Sequence, residues 1–231
     1  TKEAPYKVEL GAIQVDGIAT EINIQPASHS ELFRMNINHV TKQLLAMMNK
    51  DGDNYELVRV PVTFFDKEDW EKIPEEPKIL GCNPDYNAWT GEANDAPPDT
   101  FEYPVMRTAA GHIHIGWCNG RDVTDPMHFM DTVSVAKQMD YYVGLFTLLW
   151  DHDARRRNMY GKAGAFRPKP YGMEYRVPSN VWTRTGDLME YVYQNAWKGM
   201  REVFNDHLME DKFGDWAKKQ IDENNIYWLD T

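Results

Sequence analysis

The chain has 231 residues, 42% of them hydrophobic, with 8 Trp, 12 Tyr and 9 Phe. That supports a packed core and excludes an intrinsically disordered protein. A formal net charge of −11 disfavours a broad nucleic-acid-binding face.

In chain order, residues 7–25 read as two strands about a turn at Asp16-Gly17. In the second, Ile18, Ile22 and Ile24 share one face with Thr20, and Ala19, Glu21 and Asn23 take the other. Ser28 or Ser30 is expected to cap a helix reaching about Asn49. Residues 57–65 read as a buried strand, with Pro61 marking an edge or bulge. Residues 66–104 are irregular and Pro-rich, and are expected to form an ordered covering loop around Trp70, Tyr86 and Trp89. Residues 105–118 are expected to form one strand. Residues 126–150 are expected to form the best helix, capped by Asp125 with Pro126 at its first position. Residues 154–173 read as a loop and 173–178 as a short strand. Two helices, 186–209 and 211–224, close the chain. Strands and helices mix without strict alternation, which favours α+β. No apolar run approaches the roughly 20 residues of a membrane helix. Cys82 and Cys118 are too few for a disulfide framework, so a reducing cytoplasm is expected.

One pattern recurs in three of these strands, a polar–apolar–polar triplet: Glu21-Ile22-Asn23, His112-Ile113-His114 and Glu174-Tyr175-Arg176. Alternation sends both polar groups of each triplet to one face. Acids, imidazoles and a guanidinium on a shared face would suit a cation and phosphate oxygens. Solvated strand faces and a cross-strand charge pair are the plain structural alternatives. The segment 154–173 holds no acidic residue but carries Arg155, Arg156, Arg157, Lys162, Arg167 and Lys169. Arginine suits bidentate contact with phosphate or carboxylate, while Arg155 to Arg157 also suit a helix C-terminus. Neither GxxxxGK nor GxGxxG is present, and no GxSxG or HExxH. Cys82 has no activating neighbour in sequence.

The stretches Asp16-Gly17-Ile18-Ala19-Thr20-Glu21-Ile22-Asn23, Gly111-His112-Ile113-His114-Ile115-Gly116 and Tyr160-Gly161 through Gly172-Met173-Glu174-Tyr175-Arg176-Val177-Pro178-Ser179 resemble phage-type carboxylate–amine ligases, COOH–NH2 ligase type 2. That family is placed with the glutamine-synthetase-like superfamily. The resemblance implies one catalytic domain over residues 1–231, a mainly antiparallel curved sheet with helices on its convex face. It implies ATP, with Mg2+ or Mn2+, and small-molecule or peptide carboxylate and amine substrates. Glu21, Glu174 and His112 would be metal ligands, with Asp16 or Glu9 completing a site. Arg176 would contact the transferring phosphate or the acyl phosphate. Arg167 and Arg157 would meet phosphate or substrate carboxylate, and His114 nucleotide or substrate. No membrane or nucleic-acid partner is implied, the host cytoplasm would be the setting for a phage-encoded chain, and a homo-oligomer is allowed for.

One departure matters. The superfamily opens with an acid–x–acid strand, and nothing before Lys7 matches it. The expectation is therefore a fragment, or a decayed site on a phage binding or virion protein. A zinc hydrolase built on His112, His114 and Glu21 is the other alternative.

Overall fold

The computed structural model describes residues 4–78, 85–95 and 104–230. Cys82 lies outside them. The architecture is mixed α+β, and every strand pair is antiparallel. Strands β1 (Tyr6–Val8), β2 (Gly11–Asp16) and β3 (Ala19–Ile24) form one sheet. The turn falls at Asp16-Gly17 as the sequence predicts, with Gly17 at φ 59° and Asp16 in register with Ala19. Helix α1 (Ser30–Met48) packs on this sheet, and its Val40 and Leu44 enclose Ile13 in a small core. His29, not a serine, caps α1: its Nδ1 accepts the Leu32 N–H at 3.2 Å.

The strand expected over 57–65 forms only as β4 (Val62–Phe65); Pro61 lacks the N–H that would extend the ladder. The segment after it is less irregular than its prolines suggest. It contains α2 (Lys67–Lys72), capped by Asp66, the short α3 (Glu75–Lys78) and β5 (Tyr86–Asn87). The single strand expected over 105–118 is two strands in different sheets. β6 (Val105–Thr108) pairs with β4, and β7 (Ile113–Gly116) joins the main sheet. The break comes where the backbone at Gly111 passes Ser179 and Trp182. A Cβ there would lie 2.6 Å from the Ser179 carbonyl oxygen and 2.4 Å from the Trp182 indole nitrogen.

Helix α4 (Pro126–Met139) starts as predicted, with the Asp125 carboxylate accepting the Met127 N–H at 2.9 Å. It does not run straight on. A π-helical turn (Asp140–Gly144) separates it from the short α5 (Leu145–Thr147). The stretch read as a loop holds α6 (Ala154–Met159) and β8 (Ala165–Lys169). β8 carries Pro168, normally a strand breaker. β5 pairs only Ala165 and Phe166, so Pro168 sits where β8 has a neighbour on one side alone. β9 (Gly172–Tyr175) follows across a two-residue turn. The C-terminal part is α7 (Gly186–Phe204), α8 (Met209–Phe213) and α9 (Trp216–Asp222). Gly214, at φ 59°, interrupts the last predicted helix.

The main sheet runs β5-β8-β9-β7. Phe166, Met173, Tyr175, Ile113 and Ile115 point from one of its faces into the principal core. There they meet Val135, Ala136 and Met139 of α4 and Met189, Val192 and Met200 of α7. Burial at about 1.5–3 kcal/mol per large side chain fixes that face inward. Strict alternation then sends the intervening residues to the other face.

Candidate functional site

The outward residues of the main sheet form a dense polar cluster. Cross-strand register places Arg167, Glu174 and His114 in one row over β8, β9 and β7. Arg176 continues β9, its N–H bonded to the Ala165 carbonyl at 2.8 Å, and His112 lies just before β7. The β8–β9 turn needs Gly172: at φ 149° its Cβ would lie 2.2 Å from the Ile115 carbonyl oxygen.

Glu174 and Arg176 are each 3% exposed, so their charges depend on their partners. Glu174 Oε1 takes a very short hydrogen bond from Arg176 Nη1 and lies 2.8 Å from His112 Nδ1. Its Oε2 lies 3.0 Å from Lys169 Nζ and 3.5 Å from Arg167 Nη1. Arg176 also donates from Nε to Asp85 at 2.8 Å and from Nη2 to the Tyr160 hydroxyl. Burial alone would raise the Glu174 pKa. The His112 hydrogen bond, with Lys169 and Arg167, outweighs it and holds the carboxyl well below its ordinary range. Burial pushes His112 the other way, down to about 4, with Arg176 adding to the effect and Glu174 opposing it. His112 is therefore neutral at pH 7, with its Nδ1–H donating a hydrogen bond to the Glu174 carboxylate. Its Nε2 is then the acceptor for the Tyr160 hydroxyl, at 3.1 Å. The result is a closed ring of hydrogen bonds: Arg176 to Tyr160, Tyr160 to His112, and both His112 and Arg176 to Glu174.

His114 turns elsewhere, its Nδ1 in a very short contact with the Tyr171 hydroxyl. The two imidazoles of the His-x-His strand thus serve different partners. Arg157, expected at phosphate or carboxylate, is in the interior at 2% exposure. Its Nε donates to Asn224 at 3.0 Å. Arg156 is a staple: its guanidinium donates to the carbonyls of Ala109, Val177 and Pro178 at 3.1, 2.7 and 2.9 Å. Asp16 and Glu21 lie on β2 and β3, the sheet that packs on α1, with Glu21 opposite Gln14. The structure therefore brings together His112, His114, Arg167, Glu174 and Arg176, whereas Asp16 and Glu21 stand on a separate three-stranded sheet and Arg157 is buried in the interior. Glu9, the alternative to Asp16, is near α1, its carboxylate 3.0 Å from His39.

Three residues join the cluster that the motifs did not single out as site residues. Lys169 was visible as the i+2 neighbour of Arg167, had β8 been recognised. Tyr160 opens one of the stretches that carry the resemblance, though no role was attached to it; Asp85 comes from a distant segment and leaves no local signal.

Among the described residues, no group of three or more His, Cys, Asp or Glu side chains converges to hold a metal ion. Glu174 is the one carboxylate at the centre of the face, and both its oxygens already face cations or an imidazole. The described residues do not fit a metal held by protein side chains alone. Arg167, Lys169 and Arg176 outnumber Glu174 and Asp85, so the face suits the oxygens of a phosphate or carboxylate.

Residues 102–190 match the family model of the phage phiEco32-like COOH.NH2 ligase-type 2. The match covers less than half of the chain. It takes in β6 through β9 and therefore His112, His114, Tyr160, Arg167, Lys169, Glu174 and Arg176, and it leaves out Asp16, Glu21 and Asp85. No curated protein and no solved structure matched the chain.

Proposed function

We propose that this chain is an ATP-dependent carboxylate–amine ligase working through an acyl phosphate. One observation carries the reading. The segment matching the ligase family is the segment that builds the cationic sheet face, with Arg167, Lys169 and Arg176 around one buried glutamate.

In the proposed reaction the substrate carboxylate attacks the γ-phosphorus of ATP, and ADP leaves. The amine then attacks the acyl carbon, inorganic phosphate departs, and the amine loses its proton as the amide forms. Both steps move negative charge among phosphoryl and carboxyl oxygens, which is the charge preorganised cations stabilise best. Lys169 and Arg167, each about a fifth to a quarter exposed in side chain, are open to those oxygens. Arg176 is held by Glu174 and Asp85 in a fixed orientation, so it costs little reorganisation. Mg2+ or Mn2+ would enter as part of the nucleotide complex, since magnesium commonly binds through substrate phosphates and only one or two carboxylates. It would neutralise triphosphate charge. The antiparallel main sheet with helices behind it supports a glutamine-synthetase-like scaffold as part of the proposal. Use of free ATP points to the cytoplasm as the setting.

The test is ADP release by the full-length protein with ATP, Mg2+ or Mn2+, and a panel of amino acids, peptides and ammonia. Hydroxylamine should trap the activated carboxylate as a hydroxamate. Arg167→Ala should lower kcat/KM by about 100-fold, the scale of removing one preorganised donor. Absence of ADP and hydroxamate across the panel would overturn the ligase reading.

A further inference from the structure

Behind the cationic face, on the helix side of β9, lies a carboxylate that the ligation chemistry does not use. Asp140 is fully buried and opens the π-helical turn after α4. Its Oδ1 accepts the Tyr175 hydroxyl at 2.6 Å, and its Oδ2 accepts the Trp89 indole N–H at 2.6 Å. The backbone N–H of Gly164 donates to the same carboxylate. Gly144, which closes the π turn, makes the approach possible: a Cβ there would lie 2.5 Å from the Tyr175 hydroxyl. A buried acid is costly, and a packed apolar residue would serve stability as well or better. π turns interrupt helices at functional sites more often than elsewhere.

The three donors belong to three separate segments of the site. Trp89 lies four residues after Asp85, which holds Arg176 Nε at 2.8 Å. Gly164 immediately precedes β8, which carries Arg167 and Lys169. Tyr175 stands between Glu174 and Arg176, its side chain on the opposite face. We propose that Asp140 is a positioning residue: its carboxylate pins Trp89, Gly164 and Tyr175 and so sets the three strand segments that present Asp85, Arg167, Glu174 and Arg176. Ionised, it accepts from all three donors. Protonated, it must turn its own O–H toward one of them and give up that acceptor.

That change falls in a usable range. Burial raises Asp140 to about 7, against the bonds from Tyr175, Trp89 and Gly164, with Asp222 of α9 adding to the rise. The other charged or titratable groups around it are few. Arg157 of α6 and the adjacent Tyr141 sense its charge. Lys137 of α4 lies 5.1 Å from the Trp89 ring and 2.7 Å from Glu210 of α8. From α7, Lys198 and Glu202 meet Tyr142.

The inference rests on the sheet face being the reaction site, but its test needs no turnover. In 1H–15N spectra of the full chain, the Trp89 indole N–H and the Arg176 Nε–H would be followed between about pH 5 and about pH 9. Both are expected to move with one shared midpoint near neutrality. Asp140→Asn should freeze both. Should that variant misfold, Tyr175→Phe removes one donor to the anion and should raise the shared midpoint by about one pH unit. An Arg176 resonance that stays still while Trp89 moves would overturn the proposal. So would a folded variant in which Arg176 titrates as in the wild type. Failure of ADP release alone would sink the ligase reading and leave this coupling standing.

Discussion

At the scale of single residues, two buried acids one strand apart have opposite electrostatic lives. Glu174 is held low by His112, Lys169 and Arg167 despite its burial, and Asp140 is pushed up to about 7 by burial. Their contributions to stability therefore run in opposite directions with pH. The folded pKa of Glu174 is depressed, so its stabilisation is present above the ordinary carboxyl range and lost as pH falls through it. The folded pKa of Asp140 is raised, so the unfolded chain releases that proton first. Stability then declines as pH rises from the ordinary carboxyl value to about 7. Urea titrations over this window should show the decline in the wild type, of the order of several kcal/mol, and its disappearance in Asp140→Asn. The same decline in both proteins would mean that another group titrates. Glu174→Gln separates two roles of that acid. As a counterion it partly neutralises three cations, so its loss should tighten inorganic phosphate binding while abolishing ligation. Weaker phosphate binding would instead mark Glu174 as essential to the cradle's shape.

At the scale of elements, the division of 105–118 into β6 and β7 decides where His112 points. The bend needs Gly111, and Arg156 secures it from below through the carbonyls of Ala109, Val177 and Pro178. Gly111→Ala should cost about 1–3 kcal/mol in urea unfolding, the range for overpacking a tight site, and should misplace His112. An unchanged midpoint would mean that Trp182 simply yields. The sequence made the hairpin at Asp16-Gly17 and the start of α4 readable, because turn and cap chemistry is local. It hid β8, because Pro168 and Pro170 read as loop signals and the reason they are tolerated, an edge position beyond β5, is tertiary. Recognition of β8 as a strand would have placed Lys169 beside Arg167 at once. The π turn at Asp140 was equally hidden, since the partners of its carboxylate, Tyr175 and Trp89, lie on other segments.

At the scale of the whole molecule, a chain of net charge −11 sets three cations, Arg167, Lys169 and Arg176, on one sheet face. Nucleotide should therefore bind locally and with marked salt dependence. Over distances beyond a Debye length of about 10 Å at 0.1 M salt, the acidic remainder should repel long polyanions. Raising ionic strength should weaken ATP binding several-fold, and duplex DNA should not be retained at physiological salt. Firm DNA retention would contradict this charge layout. Part of the cluster was legible because i, i+2 alternation is a local rule that sets Glu174 with Arg176 and His112 with His114, while the β7–β9 register that brings the two pairs together is tertiary. Asp16 rests on the resemblance alone, whereas Glu21 also rests on the same alternation and Arg157 on the acid-free cationic segment. Short stretches do not say which sheet a strand joins or which way a helical arginine faces.

Tyr160 lies close to two guanidiniums, with Arg156 5.6 Å and Arg176 5.2 Å from its ring centroid. Its ring is gripped by charge, and its oxygen by hydrogen bonds. Removing the oxygen alone, as in Tyr160→Phe, would leave the aromatic wall standing and break the two hydrogen bonds it makes, with Arg176 and with His112. The wall and the bonds can thus be weighed apart in one protein.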